Sequence, residues 1–236
     1  MCYSATASFA GSAVLAAVGL ATLGRVREPR TLLFAAVPTL FALHQFTEGF
    51  VWLGLEGRIG PAAGRAAVYL FTGYAQGILP FLLPLAVLMM EPPGRRRSAI
   101  LALTMLGAAI AATMMGGLFV FETRCFIEGS SIAYRNPVTG DLTLSLLYIL
   151  ATCGSLLFSS HRVVRCYGVL NIVALTITQL VREYAFASVW CFYAAIMSVV
   201  IFWQFARSRI DVLASGGSPT EQRPFLFPWL RWTRPA

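Results

Sequence analysis

The chain contains no lysine, so all 18 of its basic residues are arginine. A retinal-type chromophore needs a membrane-embedded lysine for its Schiff base, so this absence excludes a rhodopsin-like protein. Charged residues make up only 12% of the 236 residues, against roughly a quarter in ordinary soluble domains. The chain also lacks CxxC, HExxH and G-x-S-x-G patterns and a glycine-rich phosphate loop, which argues against the enzyme classes that depend on those motifs.

What the chain has in place of charge is apolar surface. Hydrophobic residues make up 58% of the sequence, more than a soluble domain of this size can bury, so lipid is the predicted solvent. A membrane-crossing helix needs about 20 predominantly apolar residues, and these runs are helices because they show no period-two alternation. Seven runs qualify, at residues 7–24, 31–54, 66–90, 98–121, 142–160, 167–184 and 188–206.

The arginines are distributed unequally between the two sides of these runs. With the N-terminus outside, 13 of the 18 arginines lie in inner segments and five in outer ones. No positive charge precedes the first run, whereas "RVREPR" follows it, which is typical of a spanning helix and not of a signal peptide. The prediction is an all-α integral membrane bundle of about seven transmembrane helices, with the N-terminus out and the C-terminus in.

This topology divides the chain into a transmembrane domain, residues 1–207, and a cytoplasmic tail, residues 208–236. The aromatic and basic end of the tail, "FLFPWLRWTRPA", is either disordered or bound to the inner membrane surface. The predicted partner is the lipid bilayer and not nucleic acid, because the arginines are scattered through short loops.

Three local features of the spans carry structural predictions. Gly107, Ala111 and Met115 recur on one face of the fourth span, where small residues let helices approach closely. Pro80 and Pro84, one turn apart, should kink the third span. The outer segment 122–141 is long for a loop, with turn signals at Gly129 and at Asn136-Pro137.

Polar residues interrupt the second span in the outer half of the bilayer. His44, Glu48 and Trp52 are four residues apart and therefore share one helix face. A carboxylate facing lipid costs at least a few kcal/mol, so Glu48 should point into the bundle, protonated or paired with Arg182. His44 would either hydrogen-bond Glu48 or join it in binding a ligand. The topology brings further groups to the same level, namely Cys2, Ser4, Cys125, Glu183, Trp190 and Cys191.

The histidines and cysteines narrow the chemistry of such a site. The topology places His44 and His161 on opposite sides, which argues against a multi-histidine zinc site or a bis-histidine haem. Cys153 and Cys166 are interpreted as small apolar residues. A Cys2–Cys191 or Cys125–Cys191 disulfide is compatible with the outer location, and so is Cys2 acting as a metal ligand or nucleophile.

Four stretches of the chain resemble an uncharacterised family of bacterial multi-pass membrane proteins. They are "MCYSATASF", "HQFTEGFVWLGLEG", "YLFTGYAQGILPFLLPLAVLMMEPPGRRR" and "ASVWCFYAAIMS". Members of that family typically open with M-C-[FY]-S-A and carry Q-x-x-E-G-x-V-W and S-V-W-C-F-[FY]-A-A segments. The resemblance implies the plasma (inner) membrane of a bacterium and brings no known activity. The recurring positions that it implies are Cys2, Ser4, Gln45, Glu48, Trp52, Trp190 and Cys191.

The sequence therefore leaves several functions open. The first is a non-enzymatic protein that binds or conducts a small ligand or ion through a polar pocket near the outer face. The second is a membrane-embedded thiol-dependent enzyme, a redox enzyme or hydrolase, with Cys2 or Cys191 as the reactive thiol. The third is a structural subunit of a larger membrane complex or a homo-oligomer. For the polar cluster itself, a buried network that fixes helix packing is an equal alternative. No cofactor or metal is identified.

Overall fold

The computed structural model describes residues 4–129, 131–138, 140–181 and 197–206, and it is predominantly helical. The helices coincide with the predicted apolar runs, although several begin a few residues earlier. Pro61, for example, occupies the first helical position of the third run, where its missing N–H costs nothing. The helices are α1 (Ala5–Leu23), α2 (Leu32–Ala35), α3 (Val37–Leu55), α4 (Pro61–Thr72), α5 (Leu79–Met90), α6 (Arg95–Val120), α7 (Leu142–Phe158), α8 (Arg162–Val181) and the helical residues of α9 (Met197–Ala206).

Several of these helices are suited to a bilayer. Within the described ranges, three helical segments are long and apolar enough to cross a membrane: Ala5–Leu23, Pro61–Met90 and Arg95–Val120. Leu142–Phe158 and Met197–Ala206 are apolar but shorter. Helix α3 has the same 19-residue length as α1, but His44, Gln45 and Glu48 make it more polar. The all-α class is therefore confirmed, and the number of seven spans stays a prediction.

The third predicted run contains a distortion next to its prolines. Residues Gly73–Ile78 form a π-helical segment between α4 and α5, and Pro80 follows directly. A proline ring clashes with the carbonyl four residues earlier, and a widened turn relieves that clash. The hydroxyl of Tyr148, on α7, donates a hydrogen bond of 2.8 Å to the carbonyl oxygen of Ala75 in this segment. A neighbouring helix therefore binds a backbone acceptor of the irregular turn, as membrane helices require.

Segment 122–141, which was expected to be an outer loop, contains an antiparallel hairpin. Strands β1 (Arg124–Glu128) and β2 (Ser131–Arg135) pair with Glu128 opposite Ser131, so the connection is two residues long. Gly129 adopts a φ of 63° there, which glycine tolerates and which tight hairpins require, so the predicted turn is confirmed. Asn136 Oδ1 accepts from the Val138 amide at 3.0 Å and forms the second predicted turn.

Small residues set the distances between helices. Ser12 Oγ on α1 donates to the Ala42 carbonyl oxygen on α3 at 2.8 Å, a contact possible only between closely packed helices. Gly54 on α3 and Gly64 on α4 approach so closely that a Cβ at position 64 would lie 3.2 Å from the Gly54 Cα. Gly107 on α6 lies against the backbone of Pro80. Gly107 and Ala111 are buried, which confirms the predicted packing face of the fourth span.

A substitution at Gly107 should destabilise the protein. A Cβ at this position would overlap the carbonyl oxygen of Pro80, which belongs to rigid backbone. We expect Gly107→Ala to lower the unfolding free energy by about 1–3 kcal/mol, measured as a lower melting temperature in detergent. Gly116→Ala is the matched control, because a Cβ there meets nothing within 4 Å. Equal melting temperatures for the two variants would contradict the close contact of α5 and α6.

Candidate functional site

One face of α3 places four polar or amphipathic side chains in the interior. His44 is 5% exposed, Gln45 3%, Glu48 0% and Trp52 4%. Three of them recur every four residues, as the sequence predicted, and Gln45 lies on the adjacent edge of the same face. The expectation that Glu48 points into the bundle is confirmed. Among the described residues, the largest fully buried side chains are apolar except for that of Glu48.

The Glu48 carboxylate has a hydrogen-bond partner within its own helix. Gln45 Nε2 donates to Glu48 Oε2 at 2.9 Å, three residues earlier in the sequence. An amide donor is suited to a buried carboxylate, because it donates a hydrogen bond to the oxygen without adding a charge. This bond orients the carboxylate but does not by itself join two helices.

His44 makes aromatic contacts instead of the expected hydrogen bond to Glu48. Its ring stacks on Phe71 of α4 with centroids 4.0 Å apart and an interplanar angle of 14°. The Tyr74 ring of the π-helical segment is tilted by 37° to the imidazole, with centroids 4.8 Å apart. No described residue is hydrogen-bonded to His44 Nδ1, which is buried. The expected hydrogen bond from His44 to Glu48 is therefore wrong, because stacking decides the orientation of the imidazole.

The stack continues outward to the hairpin. Tyr134 of β2 stacks on Phe71 with centroids 4.7 Å apart and an interplanar angle of 17°. We refer to Tyr134, Phe71, His44 and Tyr74 as the aromatic column. It runs from the hairpin through α4 and α3 to the π-helical segment. The hairpin therefore covers the polar face of α3 through ring contacts, an arrangement that no single segment of sequence reveals.

Trp52 and Ser4 lie near the same end of the bundle and have different roles. Trp52 packs in an apolar cluster with Ala5 of α1 and Ile132 of β2. Its indole Nε1 is buried, and no described residue accepts a hydrogen bond from it. Ser4 is the N-cap of α1, and its hydroxyl oxygen accepts from the Ala7 amide at 3.2 Å. The structure thus assigns Ser4 a capping role.

The remaining predicted site residues are not placed by the structure. Cys2, Arg182, Glu183, Trp190 and Cys191 lie outside the described residues. The predicted pairing of Glu48 with Arg182 therefore stays a prediction. Within the described part of the chain, no group of three or more His, Cys, Asp or Glu side chains is arranged to hold a metal ion.

Cys125, which the sequence predicted to lie on the outer side, is a free thiol. Cys125 of β1 is half-buried and makes no disulfide, so the alternative of a Cys125–Cys191 bridge is not formed here. Burial raises the pKa of the Cys125 thiol. A raised pKa leaves less thiolate at neutral pH and makes this thiol a poor nucleophile. A thiol-dependent activity would therefore depend on Cys2 or Cys191.

A second buried carboxylate lies at the opposite end of the bundle, where sequence analysis had not singled it out. Glu91, 2% exposed, follows α5. Its Oε2 accepts from Ser159 Oγ at 3.0 Å, and its Oε1 accepts from the Ser160 amide at 2.9 Å. His161 Nε2 donates to the Met90 carbonyl oxygen at 3.0 Å. We refer to Glu91, Ser159, Ser160 and His161 as the Glu91 cluster.

The Glu91 cluster joins two turns of the chain. Arg97 Nη1 donates to the Leu88 and Glu91 carbonyl oxygens, at 2.8 and 2.6 Å. These hydrogen bonds satisfy carbonyl groups at the end of α5 that have no partner within the helix. The Glu91 carboxylate in turn accepts a hydrogen bond from the Ser160 amide, just before α8. The sequence signal was a lone acid between an apolar run and "PPGRRR", which reads as an ordinary helix end.

A model described as "Family of unknown function (DUF6629)" matches residues 1–215, which is most of the 236-residue chain. The chain belongs to this family. The matched range of DUF6629 includes both buried carboxylates, the aromatic column and the hairpin, and it confirms the resemblance to an uncharacterised family. No curated protein and no solved structure matches the chain.

Proposed function

We propose that this protein is a multi-pass membrane protein of the bacterial inner membrane that binds a proton or a small cation at Glu48. In this proposal the chain crosses the membrane seven times, with its N-terminus outside and its C-terminus inside. The binding site lies in the outer half of the bundle, beneath the hairpin. Gln45 orients the carboxylate, and the aromatic column separates it from the outer surface.

The observation that carries this proposal is the complete burial of the Glu48 side chain on a predominantly apolar helix. Ionisable residues inside a membrane are costly, and they usually mark ion or proton sites. A carboxylate that exchanges a proton or binds a cation changes its charge, and the neutral amide of Gln45 can remain in place during that change. The buried Nδ1 of His44, one turn away, provides a second polar atom near the site.

The charges at the two ends of the bundle support the proposed orientation. Of the described arginines, four lie at the hairpin end and eight at the end that contains the Glu91 cluster. Three of the four at the hairpin end have a carboxylate within ion-pair distance, namely Arg58, Arg124 and Arg135. An excess of arginine identifies the cytoplasmic side, so the hairpin end faces outward.

Two half-buried cysteines provide a test of the orientation. We expect a membrane-impermeant maleimide, applied to intact cells at mildly alkaline pH, to label a variant that retains only Cys125 and not one that retains only Cys166. Alkaline pH compensates for the raised pKa of the Cys125 thiol. Labelling of both variants after detergent solubilisation confirms that each thiol is reactive. If only the Cys166 variant is labelled in intact cells, the orientation is the opposite of the one proposed.

The ion-binding proposal is tested by the stability of the purified protein. A ligand that binds the folded state raises stability by RT ln(1 + [L]/Kd), about 2.7 kcal/mol at 100 times Kd. We expect the melting temperature in detergent to shift with pH or with one of the added cations Na⁺, K⁺, Mg²⁺ and Ca²⁺, at constant ionic strength. Glu48→Gln should remove that shift, because the amide binds neither a proton nor a cation in this way.

Glu56→Gln is the matched control. Glu56 lies just beyond the end of α3 and pairs with Arg58 at 3.3 Å near the surface, so its substitution should leave the shift unchanged. A wild-type protein whose melting temperature responds to none of these conditions would refute the proposal. So would equal responses of the wild type and Glu48→Gln.

A further inference from the structure

The end of the bundle opposite the hairpin contains a cavity between the segment that follows α1 and the end of α9. Its volume is about 240 Å³, and it is open to the surface. At roughly 30 Å³ per water molecule, this is room for several waters or for one tetrahedral anion. The lining residues are Gly24, Arg25, Val26, Arg27, Phe205 and Ala206.

The Arg25 side chain is exposed to solvent, and two contacts restrict its orientation at this cavity. Its Nη1 donates to the Ala21 carbonyl oxygen at 2.7 Å, at the end of α1. Its guanidinium carbon lies 4.8 Å from the centre of the Phe202 ring of α9. This cation–π contact and the hydrogen bond fix the plane of the guanidinium, which has five N–H groups in total. Most of them are therefore available to a ligand in a preset orientation.

Among the described residues, the charged side chains that line the cavity are both arginines. Arg27 lines the cavity with Arg25, and Arg30 follows in the same turn, with Glu28 as the acidic residue of this segment. Within the described structure, neither Arg25 nor Arg27 has a carboxylate within ion-pair distance. Two arginines that have no acidic partner among the described residues match a group with several acceptor oxygens and a negative charge.

We propose that this cavity binds a phosphate group between Arg25 and Arg27. The proposal rests on the topology proposed above, in which this end faces the cytoplasm. There, two sources present the same chemistry: the headgroup of an anionic phospholipid in the inner leaflet and free phosphate. Basic pockets between membrane helices on this side recognise anionic headgroups. The fixed guanidinium of Arg25 reduces the entropy that binding would otherwise cost.

The test is a titration of the purified full-length protein in detergent, followed by calorimetry. The probes are short-chain phosphatidylglycerol, short-chain phosphatidylcholine and inorganic phosphate. Each arginine near an anionic surface contributes about fivefold in affinity, so we expect Arg25→Gln with Arg27→Gln to bind phosphatidylglycerol about 30-fold more weakly than the wild type. Arg95→Gln with Arg96→Gln is the matched control, since these exposed arginines lie at the same end, outside the cavity. It should retain wild-type affinity.

The probes separate the two sources. Tight binding of phosphatidylglycerol without competition from inorganic phosphate assigns the cavity to a lipid headgroup, whereas equal binding of inorganic phosphate assigns it to free phosphate. If the two double variants lose the same amount of affinity for phosphatidylglycerol, the effect is one of general surface charge and the proposal is overturned. Unchanged affinity in the Arg25→Gln, Arg27→Gln variant would also overturn it. Melting temperatures confirm that each variant is folded.

The result is also separable from the ion site. Glu48→Gln should bind phosphatidylglycerol like the wild type, because Glu48 lies in the other half of the bundle. Cysteine labelling could show the opposite orientation while the cavity arginines still determine binding. In that case the phosphate site is supported, but its lipid does not come from the inner leaflet. If orientation and the Glu48 results hold while phosphatidylglycerol binding is independent of Arg25 and Arg27, only the phosphate site fails.

Discussion

Phe71→Ala should lower the melting temperature more than any other single aromatic truncation in the aromatic column. Phe71 is 1% exposed and is the ring that contacts both His44 and Tyr134. Removing it leaves a cavity at the junction of the hairpin, α4 and α3. Truncation of a buried Phe costs about 3–5 kcal/mol in soluble proteins, and we expect about 3 kcal/mol here, because lipid does not add the full hydrophobic transfer term.

Phe119→Ala is the control for this variant, since Phe119 on α6 is 84% exposed and faces away from the core. A second measurement separates local from global effects. Limited proteolysis of segment 122–141 should accelerate in Phe71→Ala, because Tyr134 loses its stacking partner. If the two phenylalanine variants have the same melting temperature and their hairpins are cleaved at the same rate, the aromatic column does not attach the hairpin to the helices.

Glu91→Ala should produce a loss of similar size at the opposite end of the bundle. The substitution leaves the Ser159 hydroxyl and the Ser160 amide without their acceptor in a buried site. Hydrogen bonds to a charged group contribute about 1.5–3 kcal/mol each, and an unsatisfied buried donor costs about 1–3 kcal/mol. We therefore expect a decrease of about 3 kcal/mol in the free energy of unfolding, measured by denaturant titration in mixed micelles.

Glu91→Gln should lose less, because the amide oxygen still accepts one hydrogen bond. Glu122→Ala is the matched control, since Glu122 is exposed and its ion pair with Arg124, at 3.6 Å, lies in solvent. Exposed pairs of this kind contribute about 0–1 kcal/mol. A Glu91→Ala variant as stable as Glu122→Ala would mean that the cluster does not join the two turns.

The helices could be predicted because each depends on its own residues. A run of about 20 apolar residues has to bond its backbone internally in lipid, whatever surrounds it. The same reasoning located the interior face of α3, since Glu48 can avoid lipid only by pointing inward. Gly107 and Gly129 were identified for equally local reasons, close helix contact and a positive φ.

The rest of the site could not be predicted because it is made of contacts between distant residues. The sequence left open whether His44 hydrogen-bonds Glu48, four residues away, or joins it in binding a ligand, whereas in the structure the imidazole contacts the Phe71 and Tyr74 rings. Tyr134 joins that stack from a hairpin that resembled a loop. Glu91 meets Ser160 across 69 positions, a separation with no local signal.

The sequence alone therefore determined the membrane-like helical class, the approximate positions of the helices and the burial of Glu48, because the cost of polar groups in lipid acts on each segment separately. The tertiary structure alone decided which side chains surround Glu48 and His44, that a hairpin covers them, and that Glu91 joins two turns. Those outcomes depend on packing and hydrogen bonds between segments, whose partners become neighbours only when the chain folds.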